Sequence, residues 1–250
     1  MLSFIRKNLL SALWAVILLL SSCNVITTNN GNDQDTTDSL SLRIALLPIQ
    51  ECNVLRHAIE SNLANDMQLP LQLLHYDALM DIDTAIISST AHVYFEDSLR
   101  ISRIQQDSLR PKLLMNIPVR LMLIANKDKD IQSVAALRTN MVALTRWSQM
   151  EEWLNNTLVD SALDQTDVYH AQINSIPLRY NMLNNGLIDA AILPQPWADS
   201  LLLQGHHLLM DTILHGMGLY ISPAALADSL SEWQSQQLRK LYLESMKDME

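Results

Sequence analysis

From residue 42 onwards, short apolar runs alternate with polar, amphipathic stretches. Residues 42–47 (LRIALL) read as a first strand, stopped by Pro48. Asn53 is placed to cap a helix reaching about residue 66, with Val54, Leu55, Ala58, Ile59 and Leu63 on one face. Further strands are predicted over 71–74 and over 83–88, the buried run DTAIIS that ends in Ser88-Ser89-Thr90. Residues 97–111 are polar, helical or irregular. The apolar stretch 112–125, broken at Asn116-Ile117-Pro118, reads as two consecutive strands crossing between subdomains. The alternation then repeats: a short helix over 131–138, a strand over 141–145 and a helix capped near Ser148 that runs to about 158. A strand over 167–171, a helix over 175–185 ended by Gly186 and a strand over 188–193 follow. Pro196 opens a helix from Trp197 to about 204, strands are predicted over 207–210 and 218–222, and a helix beginning near Ser229 finishes the chain. Short apolar strands alternating with amphipathic helices specify an α/β fold with largely parallel sheets. The break at 112–125 and the return near 211–218 imply two lobes. Residues 41–116 and 213–250 form lobe I, and residues 117–212 form an inserted lobe II.

The first residues follow a different logic. Arg6 and Lys7 precede an apolar run over residues 9–20, which meets Ser21-Ser22-Cys23. A basic end, a short apolar core and small residues at a cleavage point describe an export signal, and the run is short for a span of about 20 residues. Leu20-Ser21-Ser22-Cys23 resembles the bacterial lipobox, in which cleavage precedes the cysteine and its thiol takes a diacylglycerol. Residues 1–22 are therefore expected to be a lipoprotein signal peptide, and Cys23 a lipidated, palmitate-bearing N-terminus. Residues 23–40, rich in Asn, Asp, Thr and Ser, form a flexible tether. This places the folded part in the cell envelope, facing the periplasm or the exterior. Cys52 is then the one free thiol, which excludes an internal disulfide and a multi-thiolate metal site.

Composition narrows the chemistry. Of 250 residues, 48% are hydrophobic and 18% charged, as in a core-forming globular protein. With 17 basic and 27 acidic residues the formal charge is -10, the wrong sign for a phosphate backbone, so no nucleic-acid partner is expected. The five glycines assemble no dinucleotide loop, phosphate loop or nucleophile elbow. The seven histidines are scattered, no acid and base converge, and the pattern calls for no metal, no cofactor and no enzymatic activity. Asp-Ser-Leu or Asp-Ser-Ala recurs at 38, 97, 107, 160, 199 and 228. It resembles the O-glycosylation acceptor of some anaerobic diderm bacteria, and it equally suits helix caps and turns.

Three stretches carry a wider resemblance. Asn185-Gly186-Leu187-Ile188-Asp189-Ala190-Ala191-Ile192-Leu193-Pro194, residues 82–86 with Ser88-Ser89-Thr90, and residues 137–145 followed by Ser148 are similar, in order and spacing, to segments of ABC-transporter substrate-binding proteins of the type II periplasmic-binding class. The resemblance is to the branch of aliphatic-sulfonate, taurine and thiamine-pyrimidine receptors, and it covers roughly residues 42–230. Asn140 stands where the family's usual glycine precedes the lobe II strand, and the chain stops soon after its return to lobe I, leaving little length for closing helices. The resemblance implies a monomeric, two-lobed receptor with a ligand cleft, which binds a small polar solute for an ABC permease. Two alternatives are an enzyme of a cofactor pathway on the same fold and a non-transport surface lipoprotein derived from a binding protein.

In such a fold the carboxyl ends of the strands and the N-termini of the following helices face a shared cleft. The residues that follow predicted strands are the candidate ligand contacts: Gln50, Asn53, Ser89 and Thr90 from lobe I, and Arg146, Trp147, Ser148, Gln195 and Trp197 from lobe II. Arg146 is expected to supply the positive charge, and hence a preference for an anionic solute, with Trp147 as a flat apolar wall.

Overall fold

The computed structural model describes residues 41–223 and 232–249. The predicted signal peptide, Cys23, the tether and the expected helix start at Ser229 lie outside the described residues.

The chain begins with β1 (Leu42–Leu46), α1 (Gln50–Glu60), α2 (Leu63–Asp66), β2 (Leu71–His75), α3 (Leu79–Ile87), β3 (Val93–Asp97), α4 (Ser98–Ser102) and β4 (Lys112–Asn116). It continues through β5 (Val119–Ala125), a short 3₁₀ turn (Val134–Leu137), β6 (Met141–Leu144), α5 (Gln149–Asp160), β7 (Tyr169–Gln172), α6 (Ile176–Asn184), β8 (Ala190–Pro194), α7 (Trp197–Leu203) and β9 (His207–Leu214). It returns with β10 (Met217–Ile221) and α8 (Glu232–Asp248).

The strands form two five-stranded sheets, ordered β2-β1-β3-β10-β4 and β7-β6-β8-β5-β9. In the first, β1 pairs in parallel with β2 and β3, while β10 runs antiparallel between β3 and β4. The second repeats this plan, with β6 parallel to β7 and β8, and β5 antiparallel between β8 and β9. In each sheet the antiparallel insert is the strand that arrives from the other lobe. The chain therefore crosses twice, through Ile117-Pro118 and through His215-Gly216, and the crossings are tied where the Ile117 N–H donates to the Met217 carbonyl at 2.9 Å.

Each lobe hides its apolar strands under helices. On α1, Cys52, Val54, Leu55 and Ala58 face inward at helical spacing. The 17-residue α8 packs against α1, where Tyr242 Oη donates to the Glu51 carbonyl and Ser245 Oγ to the Val54 carbonyl. One 17-residue helix thus covers this face of lobe I.

Several element expectations need correction. Residues 83–88 are not a strand but the last part of α3 and its C-cap Ser88, and the buried Leu79, Ile82, Ala85 and Ile86 of this helix recur at helical period. The third strand is β3, whose five residues are all buried. Helix α1 starts at Gln50 with Ile49 as its N-cap, so Asn53 lies inside it, and the left-handed turn at Asn62 (φ 65°) separates α2. Strand β9 runs on to Leu214.

Candidate functional site: the seam between the lobes

The carboxyl ends of β1, β2 and β3 face those of β6, β7 and β8 across a narrow seam, bridged by hydrogen bonds that start at helix N-termini. The first free N–H of α1, on Gln50, donates to the Gln195 carbonyl at 3.0 Å. That of α6, on Ile176, donates to the Asp77 carbonyl at 2.9 Å. That of α5, on Gln149, donates to Asp97 Oδ2 at 2.8 Å. A helix N-terminus carries unsatisfied donors and a partial positive charge. Here an oxygen of the opposite lobe satisfies each one.

Side chains extend the closure. Gln149 Nε2 donates to Ser98 Oγ at 2.6 Å, Arg100 Nη1 to the Arg146 carbonyl at 3.0 Å and Trp197 Nε1 to the Pro48 carbonyl at 2.6 Å. The Gln149 amide lies directly over Gly216, where an added Cβ would meet its Nε2 at 1.6 Å. A glycine is thus needed at this crossing for the amide to reach Ser98.

Between the lobes lie two small apolar cavities of about 30 Å³ each, with Leu79, Val119, Leu121, Met150 and Met217 lining both. Each has room for a water molecule or two. Two charged groups border them, Arg179 at one and Asp97 at the other. Arg179 is 1% exposed on α6, and among the described residues no carboxylate pairs with it. Its Nε donates to the Ile192 carbonyl at 3.1 Å, and its Nη1 to Thr145 Oγ1 at 2.9 Å and to the Ile173 and Asn174 carbonyls at 2.7 and 3.1 Å. Burial pulls its pKa down to about 9, so it stays charged at neutral pH. Asp97 accepts from Leu99 N–H as well as Gln149 N–H, but burial outweighs these bonds and its pKa is raised.

The expected contacts separate into groups. Gln50, Ser148, Gln195 and Trp197 come together at the seam, although Ser148 Oγ turns back to the Thr145 carbonyl at 2.7 Å instead of capping α5. Asn53 is one turn into α1 and half-buried. Ser89 and Thr90 are exposed at the end of α3, ahead of β3, and so stand at the opposite end of that strand from the seam. The Arg146 guanidinium is committed to Glu151, its Nε 2.8 Å from Oε1. Burial of Glu151 acts upward on its pKa, but the Trp147 N–H and Arg146 outweigh it and hold the carboxyl below its usual value. Trp147 is half exposed to one side. Arg179, Asp97 and Gln149 lie outside the set of residues that follow the predicted strands. The inward spacing of Ile176, Arg179 and Leu183 on α6 is the signal that points to Arg179.

Among the described residues no cluster of histidine, cysteine and carboxylate groups is placed to hold a metal ion, and no helix is long and apolar enough to cross a membrane. Of the Asp-Ser tripeptides, the one at 97 caps α4, and those at 38 and 228 lie outside the described residues.

No protein-family model matches the chain, and no curated protein sequence matches it. Solved structures do. The alkanesulfonate-binding protein of Xanthomonas axonopodis bound to MOPS is similar with a TM-score of 0.66 at 16% identity, over 82% of this chain and 73% of that one. PhnD1 of Prochlorococcus marinus in complex with methylphosphonate has a TM-score of 0.60 at 13% identity, over 81% and 83%. The periplasmic nitrate-binding protein of Synechocystis has a TM-score of 0.67 at 10% identity, over 83% and 61%. Two of them are named as binding proteins and the third holds methylphosphonate. The repeated sheet order, the paired crossings and these likenesses identify the fold as that of the two-lobed type II periplasmic binding proteins.

Proposed function

We propose that this chain is a lipid-anchored, monomeric solute receptor of the cell envelope that captures a small anion between its lobes for an ABC permease. The observation that carries this reading is Arg179, a buried guanidinium that pairs with no carboxylate among the described residues, at the wall of one inter-lobe cavity. A cation held by neutral oxygens in an apolar setting gains most from an incoming anion, because a charge-assisted bond there meets little screening. Arg179 therefore takes the role expected of Arg146. Gln50, Ser148, Gln195 and Trp197 are the proposed surrounding contacts. The existing cavities are too small for such a solute, so binding requires the lobes to part and reclose. The binding role of the alkanesulfonate- and nitrate-binding neighbours favours capture over catalysis.

Thermal-shift titration with ethanesulfonate, methylphosphonate and nitrate tests this. At least one should raise the melting temperature saturably. Arg179→Lys should weaken that binding about tenfold, since an ammonium cannot hold the Thr145, Ile173, Asn174 and Ile192 oxygens and face an anion at once. No response to any small oxyanion, with native mass spectrometry showing no co-purified solute, would contradict it.

A second reading, a non-transport lipoprotein derived from a binding protein, is favoured by Asp97. Its carboxylate already occupies the N-terminus of α5. A permanently self-closed seam would serve an assembly or surface role.

A further inference from the structure

A cavity of about 450 Å³ opens beside the seam, separate from the cavities at Arg179. That size is ordinary for a small-molecule site. Ile87 at the end of α3, with Ile104 and Leu109 from the loop after α4, forms an apolar wall on lobe I, and Trp147 faces them from lobe II. At the base Asp83 and Arg100 are bonded and neutralise one another. The remaining charge is Arg103, which is exposed and whose guanidinium makes no ion pair or hydrogen bond among the described residues.

Trp147 is the least expected part. It adopts a left-handed backbone (φ 57°), a conformation costly for a bulky side chain, and the residue is 48% exposed. Glu151 holds it there, with Oε2 accepting the Trp147 N–H at 2.6 Å. Core packing does not require a large ring that is both strained and half in water. A ring ligand stacked on it would bury that surface.

We infer that this lateral pocket binds an aromatic carboxylate, its ring between Trp147 and the Ile87–Ile104 wall and its carboxylate on Arg103. Apolar walls on two sides select a flat hydrophobic body, and the unpaired guanidinium at the lip selects a planar anion that accepts two parallel N–H bonds. Because its walls come from both lobes, an occupant also favours the closed arrangement.

Calorimetric titration of the full chain with 2-naphthoate tests the site, with 2-naphthylmethylammonium as a probe of the same shape and opposite charge. One saturable site is expected for naphthoate, with the ammonium at least tenfold weaker. Trp147→Gly suits the left-handed backbone, and Arg103→Glu alters an exposed side chain; each should weaken naphthoate at least tenfold without changing the melting temperature of the free protein. Arg179→Lys should leave naphthoate affinity within twofold. Equal binding of the two probes, indifference to Trp147→Gly and Arg103→Glu, or no binding at millimolar naphthoate would overturn the proposal. Loss of naphthoate binding on Arg179→Lys alone would also overturn it, moving the ring into the seam and leaving the solute reading intact.

Discussion

Glu96 is fully buried near the end of β3, and its Oε2 accepts no hydrogen bond among the described residues. Burial pushes its pKa well above the usual 4.5 and Asp83 adds to this; the Asp97 N–H and Arg100 act in the opposite direction. The folded protein thus holds this proton more tightly than the unfolded chain. The linked stability is complete below the unfolded value of about 4.5 and is lost as pH rises through the higher folded value. Asp97 and Asp83, also raised by burial, act in the same direction. Glu96→Gln keeps the side-chain outline and removes the charge. It should be more stable than wild type by about 1 kcal/mol at pH 8, and the difference should vanish towards pH 4.5 in urea unfolding curves. An equal or larger loss at both pH values would show that Glu96 is needed as a carboxylate. Arg179 behaves differently, because its donors satisfy buried carbonyls. Arg179→Met should cost about 2–4 kcal/mol by leaving several of them unpartnered, read from the denaturation midpoint.

At the scale of elements, the helix N-termini decide how tightly the lobes close. Asp97→Ala leaves the Gln149 and Leu99 N–H groups without their acceptor and should weaken closure by about 1–3 kcal/mol. Solution scattering should then report a larger radius of gyration than wild type. Gly216→Ala should act similarly by displacing the Gln149 amide from Ser98, and an unchanged scattering curve for both variants would remove the latch. The same elements explain what could be read from the sequence. The lobe II alternation was plain because β6, β8, α5 and α7 carry strong runs and clear punctuation at Gly186, Pro196 and Gly205. The run DTAIIS centres on Ala85-Ile86-Ile87 and reads locally as a short strand, and the helical period of α3 shows only once Leu79 and Ile82 are included. Strand β3 was missed because Glu96 and Asp97 end it in charge, against the usual rule for buried strands. Asp97 is the group that this end presents at the seam, so the local pattern fails at the contact between the lobes. Ser89 and Thr90 were placed at the site only through the misread strand.

For the whole molecule, the two-lobed plan followed from the alternation and the break at Pro118, but the closing contacts did not. They join residues far apart in the chain, such as Gln149 to Asp97 and Trp197 to Pro48, and no local pattern encodes such pairings. The fold's two crossings permit rotation of one lobe against the other, and the solute reading requires it. Spin labels on exposed Glu60 of α1 and Asn156 of α5 would measure the distance between lobes directly by pulsed electron resonance. The expected result is two distances in the free protein, with the shorter gaining population on addition of a binding oxyanion and losing it in Asp97→Ala. A single distance, unchanged by any oxyanion and by Asp97→Ala, would contradict a hinged receptor and leave a rigid, self-closed protein.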